Sequence, residues 1–439
     1  MSSQSNVDVG SAPKKNNCAT HLVALTSSSG LPIFTRKKGD GEPLSFSTIG
    51  SLYGMFTFGK SANATLEVTK SPDGKAIVWK EYADSVLLIL CAENASTEEM
   101  NKVLELTFSA IVLRVGLREI KEPRNLELLK RELKNIYPLI DRILGLVHEV
   151  EKSNPSTDVH GLLECALYEE NQVLQAYLET HVENMASMYG CVMLHGRVAV
   201  ATPSWWTLTP IERLLLALAT QYDTPSVARD LPVFLPDKSP DVPYRLVMSQ
   251  LMPGVEICTL CGPTPELPEV EAIVNFNWKN CSEVLKGVVD FKSVPDSLVL
   301  DTHLMGLLLV NVEDSKYVLC NEPNTEAGSK NNGPPVAHRT NILKTFYSTA
   351  APVLQQQAFS GTRETDLMDP IEAFWSSEFY KCHAIVSGAN QLFILLPSMI
   401  PRHLARFALV QRIFNLFRFD SHFFTWNVYF FGFFVEHST

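Results

Sequence analysis

Three stretches of the chain repeat one pattern, and that repeat limits the fold more than any other feature. Each reads as two apolar strands around a short polar turn. They are Leu22–Thr26 with Leu31–Thr35, Cys191–Leu194 with Arg197–Thr202, and Gly306–Val312 with Lys316–Cys320. The turns are Ser27-Ser28-Ser29-Gly30, His195-Gly196 and Glu313-Asp314-Ser315. Short polar turns between β-branched and apolar residues predict hairpins. The spacing between copies is far longer than a solenoid repeat.

A helix is expected after each hairpin. Ile49, Leu52, Tyr53 and Phe56 recur at i, i+3, i+4 and i+7, as do Ile211, Leu214, Leu215 and Leu218. Asn341–Thr349 is a shorter third case, with Ile342, Thr345 and Phe346. Strands then follow at Ala76–Tyr82 and Ser85–Cys91, at Tyr244–Leu251 and Val255–Cys261, and at Cys382–Ser387 and Leu392–Leu396. Helices at 98–117 and 126–146 close the first module, and one after Pro268 closes the second. A further helix is expected from Leu162 to Met188. The fold class is therefore α/β (α+β): three modules, each an antiparallel sheet with helices packed on its faces.

The expected domains are a polar N-terminus at 1–18, modules at 19–150, 151–295 and 296–412, and an atypical tail at 413–439. Lys152–Asp158 reads as a linker, Asn321–Val336 as a polar loop inside the third module, and Leu354–Pro370 as a weaker loop. The tail holds nine of the 23 phenylalanines, and Arg418, Asp420, His422 and Asn427 interrupt it. That is too polar for the ~20 apolar residues of a membrane span.

The chain has 439 residues, 46% of them hydrophobic and 19% charged, so it can fill several cores. Its net charge of −11 opposes nucleic-acid binding. Its mean hydropathy of +0.03 is high for a monomer and fits apolar surface that meets a partner. The polar N-terminus with Lys14 and Lys15 has no apolar core of a signal peptide, so the nine cysteines are expected as free, mostly buried thiols. On that reading the sequons at Asn63 and Asn94 carry no weight.

Two motifs suggest chemistry. Gly54-x-x-x-x-Gly59-Lys60-Ser61 satisfies the Walker A spacing. A phosphate loop needs a strand before it, small flexible residues within it and a helix starting at the Lys-Ser pair. Here Met55-Phe56-Thr57-Phe58 are bulky, helical period precedes the motif, and Ala64–Thr69 after it reads as a strand. The bland alternative is a helix end capped by Gly59. Cys258-x-x-Cys261 has no second pair to complete a zinc site, and in a strand its two residues face opposite sides. Two buried structural thiols fit better. No His-Glu-x-x-His or Gly-x-Ser-x-Gly occurs, and His195 and His303 stand singly. No catalytic, metal or cofactor site is expected.

The interaction candidates are on other residues. Gly50 and Gly54 share one helical face, with Met55 and Phe58 beside them. Trp205-Trp206 sit where the second hairpin meets its helix, an arrangement that buries one ring and half-exposes the other.

Several strings carry a resemblance. They are Thr48-Ile49-Gly50-Ser51-Leu52 with Gly54 and Phe58-Gly59, Val78-Trp79-Lys80, and Ile111-Val112-Leu113 with Val115-Gly116-Leu117. To these are added Trp205-Trp206, Ala228-Arg229-Asp230 with Pro232-Val233, and Leu260-Cys261-Gly262-Pro263. In this order and spacing, over roughly residues 20–400, the chain resembles the Fuzzy family of planar cell polarity effectors. That family belongs to the tri-longin group with Inturned and the Mon and Ccz subunits of a vacuolar Rab exchange factor. The resemblance implies three longin modules and pairing with an Inturned-like subunit. It also implies membership of a ciliogenesis and planar polarity assembly with the WD-repeat protein Wdpcp, at the basal body, cytoplasm and cytoskeleton. Action on a Rab-type GTPase, phosphoinositide contact at a membrane and a partner-binding role for the Gly50 and Gly54 face are implied as well. The rival readings are a scaffold for transport particles and a P-loop NTPase. The chain departs from the family at its end. Pro397 and Pro401 follow the last strand and the Phe-rich tail takes over, so the completeness of the third module is left open.

Overall fold

The computed structural model describes residues 19–72, 74–93, 95–147, 161–220, 228–288, 303–321, 334–360, 371–387 and 389–402. The expected N-terminal segment, the linker at 152–158, most of the loop at 321–336 and the tail at 413–439 lie outside these residues. The chain divides into two compact units. One is Met1–Glu105 with Ile143–Glu149, and the other is Leu106–Arg142 with Val150–Thr439.

The first unit is built on β1 (Ala19–Thr26), β2 (Pro32–Gly39), α1 (Phe46–Ser61), β3 (Val68–Lys70), β4 (Lys75–Tyr82) and β5 (Val86–Glu93). The strands form one antiparallel sheet in the order β2-β1-β5-β4-β3. On one face Val23, Leu25, Trp79, Leu87 and Ile89 meet Ile49, Leu52 and Phe56 of α1. Residue alternation sends Leu22, Ala24, Leu88 and Leu90 to the other face, where they are also buried.

The helix α2 (Thr97–Val115) starts in the first unit and ends in the second. The expected second helix at 126–146 is broken. After α3 (Leu117–Lys121) come α4 (Leu126–Leu133), one 3₁₀ turn and α5 (Tyr137–Leu144). Residues 106–142 group with the second sheet. The Phe234 ring lies 3.0 Å from where a Cβ on Gly116 would sit, and Arg142 Nη1 donates to the Leu218 carbonyl at 3.2 Å.

The expected helix from Leu162 is a correction. Residues 163–164 form a strand, β6 (Leu163–Glu164), and the helix α6 runs only from Asn171 to Asn184. Next come β7 (Tyr189–Leu194), β8 (Arg197–Ala201), α7 (Pro203–Trp206), α8 (Pro210–Thr220), β9 (Ala228–Leu235), β10 (Ser239–Met252), β11 (Val255–Cys261), α9 (Leu267–Trp278) and α10 (Ser282–Lys286). The sheet order β8-β7-β11-β10-β9 repeats that of the first module. Val192, Leu194, Val247 and Ile257 pack under Leu174, Leu178 and Val182 of α6 and Val270, Val274 and Trp278 of α9. The predicted turn His195-Gly196 has both residues at positive φ, 50° and 78°, as a tight two-residue hairpin requires.

The third module has β12 (Gly306–Asn311), β13 (Lys316–Cys320), α11 (Val336–Ser360), β14 (Ile371–Ser376), β15 (Tyr380–Ser387) and β16 (Asn390–Pro397). Its order β14-β15-β16-β12-β13 is the same arrangement read from the other edge, and β6 is added in parallel beside β13. Leu343, Phe346 and Leu354 of α11 fill the core with Leu308, Val310 and Phe393. The expected loop at Leu354–Pro370 is helix as far as Ser360, and the expected short helix is 25 residues long. The architecture is thus three modules, each an antiparallel sheet with packed helices.

The stretch from Leu163 to Ala166 joins the second and third sheets. Leu163 N–H donates to Ser315 O at 3.0 Å, Cys165 N–H to Tyr317 O at 2.8 Å, and Ala166 N–H to Val198 O at 2.9 Å. One short segment therefore lies against the outer strand of each hairpin, β8 and β13. Glu164 adds a carboxylate bridge, taking Arg197 Nε at 2.8 Å and the Tyr317 hydroxyl at 3.3 Å. Among the described residues, no helix is long and apolar enough to cross a membrane.

Candidate partner interface

The site is built on α1. Ser45 caps it from extended backbone (φ −68°, ψ 153°), its Oγ accepting the Thr48 N–H at 3.2 Å. Ile49, Leu52 and Phe56 hold the inner face, and Trp79 Nε1 donates to the Leu52 carbonyl at 3.2 Å. A side flank is fixed by the Tyr53 hydroxyl, which donates to Ser27 O at 3.0 Å. The Tyr53 ring lies where a Gly30 Cβ would be, 2.5 Å away, and Gly30 has φ +67°. Only glycine fits there.

The outer face is bare. A Cβ on Gly50 or Gly54 would meet nothing within 4 Å, so these glycines do not serve a helix–sheet contact inside the module. Ser51, Met55 and Phe58 are exposed beside them, and Phe46 at the start of the helix is 78% exposed. The face carries no charge. Lys60, near the end of α1, is held by Glu81 at 2.8 Å.

The other two hairpin-following helices differ. In α8, Glu212 and Arg213 are buried along with Leu214, Leu215 and Leu216. Glu212 accepts the backbone N–H groups of Thr209, Asp237 and Lys238 at 2.9–3.0 Å. In α11 the outward residues Thr345, Ser348 and Thr349 bond back to the helix's own carbonyls. Of these three helices, among the described residues, only α1 pairs a glycine-flattened surface with exposed large apolar side chains.

The Walker-spaced string is not a phosphate loop. Residues 54–61 are the last two turns of α1, so their amides are spent inside the helix. The helix ends about one turn later than the sequence suggests. Asn63, not Gly59, takes the left-handed position at φ 55°. Ala64 N–H returns to Gly59 O at 2.9 Å and Asn63 N–H to Lys60 O at 3.2 Å, a Schellman closure. Gly59 is still useful, because a Cβ there would press the Ala64 carbonyl at 3.2 Å.

The tryptophan pair does not join this surface. Trp205 is fully buried, so it is withdrawn as a partner contact in the folded chain. Trp206 is half-buried, with the Arg213 guanidinium 5.2 Å and Lys316 Nζ 4.6 Å from its ring centre. It serves the joint between the second and third modules. Cys258 and Cys261 are both buried and face opposite sides of β11. Cys258 lies directly across from Cys191, and burial pushes its thiol well above the usual range; burial takes the Cys261 thiol up to about 11. Neither is a poised nucleophile. Among the described residues, no three His, Cys, Asp or Glu side chains cluster as a metal site would need.

Sequence comparison matches three domain families in order. They are the first longin domain of FUZ, MON1 and HPS1 over residues 20–143, the second over 185–279 and the third over 303–418. The Protein fuzzy homolog of Xenopus tropicalis is 32% identical over 397 residues, 87% of this chain and 93% of that protein. The rat homologue is 35% identical over 340 residues, 75% of this chain and 79% of its own length. The human homologue is 34% identical over 337 residues, covering 75% and 78%. Module count, sheet order and these matches agree: the chain belongs to the Fuzzy family of three-longin adaptor proteins.

Proposed function

We propose that this chain is a non-catalytic subunit that pairs with an Inturned-like longin protein, and that the pair acts on a Rab-type GTPase in membrane and intraflagellar transport and cilium biogenesis. The observation that carries the reading is the outer face of α1, uncharged, flattened by Gly50 and Gly54 and bordered by Phe46, Met55 and Phe58. Helix interiors select against glycine by about 1 kcal/mol each relative to alanine. Two glycines there with nothing packed on them are explained by a partner that comes close.

In such an assembly this chain need supply no acid, base or nucleophile. Exchange works through preferential binding of the nucleotide-free GTPase, and nucleotide affinity falls by that preference. A Wdpcp-like WD-repeat protein and an anionic phosphoinositide surface are further partners under this reading, with the basal body and its cytoskeleton as the site of action. The test is co-purification with an Inturned-like subunit, then release of labelled nucleotide from candidate Rab proteins. Accelerated release by the pair and not by either chain alone is expected. A stable pair that binds a Rab without accelerating release would favour a scaffold for transport particles. Failure to pair would remove the reading.

A further inference from the structure

Lys-Ser-Pro occurs twice in the chain, at 70–72 and 238–240. The sheet orders β2-β1-β5-β4-β3 and β8-β7-β11-β10-β9 put both copies at the same place in the fold, the connection from the edge strand to its neighbour. Proline there has an ordinary cause, since its fixed φ suits a tight turn. The surroundings of the two serines differ. In the second module the connection is tied down. Asp237 and Lys238 donate their backbone N–H groups to buried Glu212 at 3.0 and 2.9 Å, and Lys238 Nζ lies 4.9 Å from the Tyr189 ring centre. Ser239 is half-buried, and its Oγ donates to the Val242 carbonyl at 2.9 Å. In the first module Ser71 and Pro72 are both exposed. The turn is closed by Ser71 N–H to Lys75 O at 2.8 Å and Gly74 N–H to Ser71 O at 3.1 Å. The strand before it, β3, has three residues and no buried side chain.

We infer that Ser71 is a phosphorylation site for a proline-directed serine/threonine protein kinase, with ATP as the phosphoryl donor. Such an enzyme can read the residue after the acceptor, because proline carries no N–H and a pocket without a hydrogen-bond acceptor favours it. In the transfer, Ser71 Oγ bonds to the γ-phosphorus, the bond from that phosphorus to the bridging oxygen of ADP breaks, and the hydroxyl proton passes to the catalytic carboxylate of the kinase. The kinase must take the acceptor segment in extended form, so the turn has to open. Opening it at Ser71 releases the two turn bonds and the three-residue pairing of β3 with β4, and it uncovers no core side chain. Local unfolding of that kind is cheap. The same opening at Ser239 would strip the buried Glu212 carboxylate of two backbone donors, a far larger cost. The product carries a charge of about −1.5 to −2 at pH 7 beside Lys70 in the chain. Neither Ser71 nor Pro72 packs in the core, so the mark leaves the fold intact. The site stands whether or not the pairing proposed above holds.

The repeated motif supplies its own control. The full-length chain is incubated with a purified proline-directed kinase and magnesium ATP, and phosphate at each serine is followed by mass spectrometry. Free peptides spanning residues 65–79 and 233–245 are run beside it, and each rate in the chain is divided by the rate in the matching peptide. That ratio should be at least about tenfold higher for Ser71 than for Ser239, because the peptides share the motif and the fold alone separates them. Pro72→Ala should slow phosphorylation of Ser71 about tenfold or more while the denaturation midpoint stays unchanged, and Ser71→Ala should remove the phosphate from that segment. Equal ratios at the two serines, or a higher ratio at Ser239, overturn the inference. So does a Ser71 left unmodified in the folded chain, a 65–79 peptide that the kinase ignores, or a Pro72→Ala chain modified as fast as the original.

Discussion

Replacing Gly54 with alanine should make the free protein more stable. The residue is mid-helix, between a good N-cap at Ser45 and a closed Schellman end at Asn63, so fraying does not dilute the effect. A new Cβ would find open space, so no clash opposes it. The remaining term is helix propensity, about 1 kcal/mol in favour of alanine, arising mostly from lost freedom of the unfolded chain. Gly50→Ala should give the same, and the pair about 2 kcal/mol, since both sites are open and propensity terms add. The readout is native-state hydrogen exchange of the α1 amides in the free chain. Each substitution should slow them about fivefold, the equilibrium factor for 1 kcal/mol. Faster exchange or a lower denaturation midpoint would mean that the glycine face is packed within the free chain, and the argument for a partner there would collapse.

Other outcomes follow from single residues. Lys60→Ala should leave partner binding unchanged and reveal no nucleotide affinity to lose, because the ammonium serves Glu81 at the surface; ATP or GTP binding that this change abolishes would restore the phosphate-loop reading. His181 is buried against Trp278, and burial lowers its pKa to about 4. A histidine held neutral in the fold stabilises fully above the unfolded value near 6.5 and loses that contribution as pH falls toward 4, by on the order of 3 kcal/mol. A His181→Gln variant should therefore show a flatter stability profile across that window, and an unchanged slope would contradict the assignment. Chelators should not shift the melting of the chain, and alkylation at pH 8 should leave Cys191 and Cys258 unmodified until unfolding; a chelator-sensitive transition would revive a metal role for the Cys-x-x-Cys pair.

The hairpins and the first helical stripe are readable in the sequence because local pattern and final environment agree there. Leu22–Leu25 and Val86–Leu90 form apolar runs of strand length that are buried on both faces, and Ile49, Leu52 and Phe56 lie on the face of α1 that reaches Val23, Leu25 and Ile89. Where the reading fails, tertiary context decides. Leu162, Cys165 and Ala166 carry helical spacing, yet two sheet edges draw the segment into extended pairing. Gln355–Gln357 lack an apolar period, yet α11 continues through them and past Pro352. The strand expected at Ala64–Thr69 forms only as β3, Val68–Lys70, and the edge strands β9 and β14 carry too little alternation to stand out. The candidate site is only half legible. The stripes of α1 and α8 look alike as sequences, but α8 buries even Glu212 and Arg213 while α1 leaves its glycines bare. Which helix stays uncovered depends on neighbours that are distant in the chain. Trp205-Trp206 bury one ring and half-expose the other as the sequence suggests, but the half-exposed Trp206 lies against Lys316 of the third module.

The central claim, that the bare face of α1 receives a partner, is tested most directly by comparing Gly54→Leu with Gly54→Ala in affinity for an Inturned-like subunit. Both substitutions favour the helix, and neither opens a cavity in the core. They differ in bulk at the outer face. Leucine should weaken binding by tenfold or more, about 1.4 kcal/mol or greater, while alanine changes it little and the free chain remains folded in both cases. Equal affinity for both variants and the unmodified chain would contradict the account and leave the glycine face without a function.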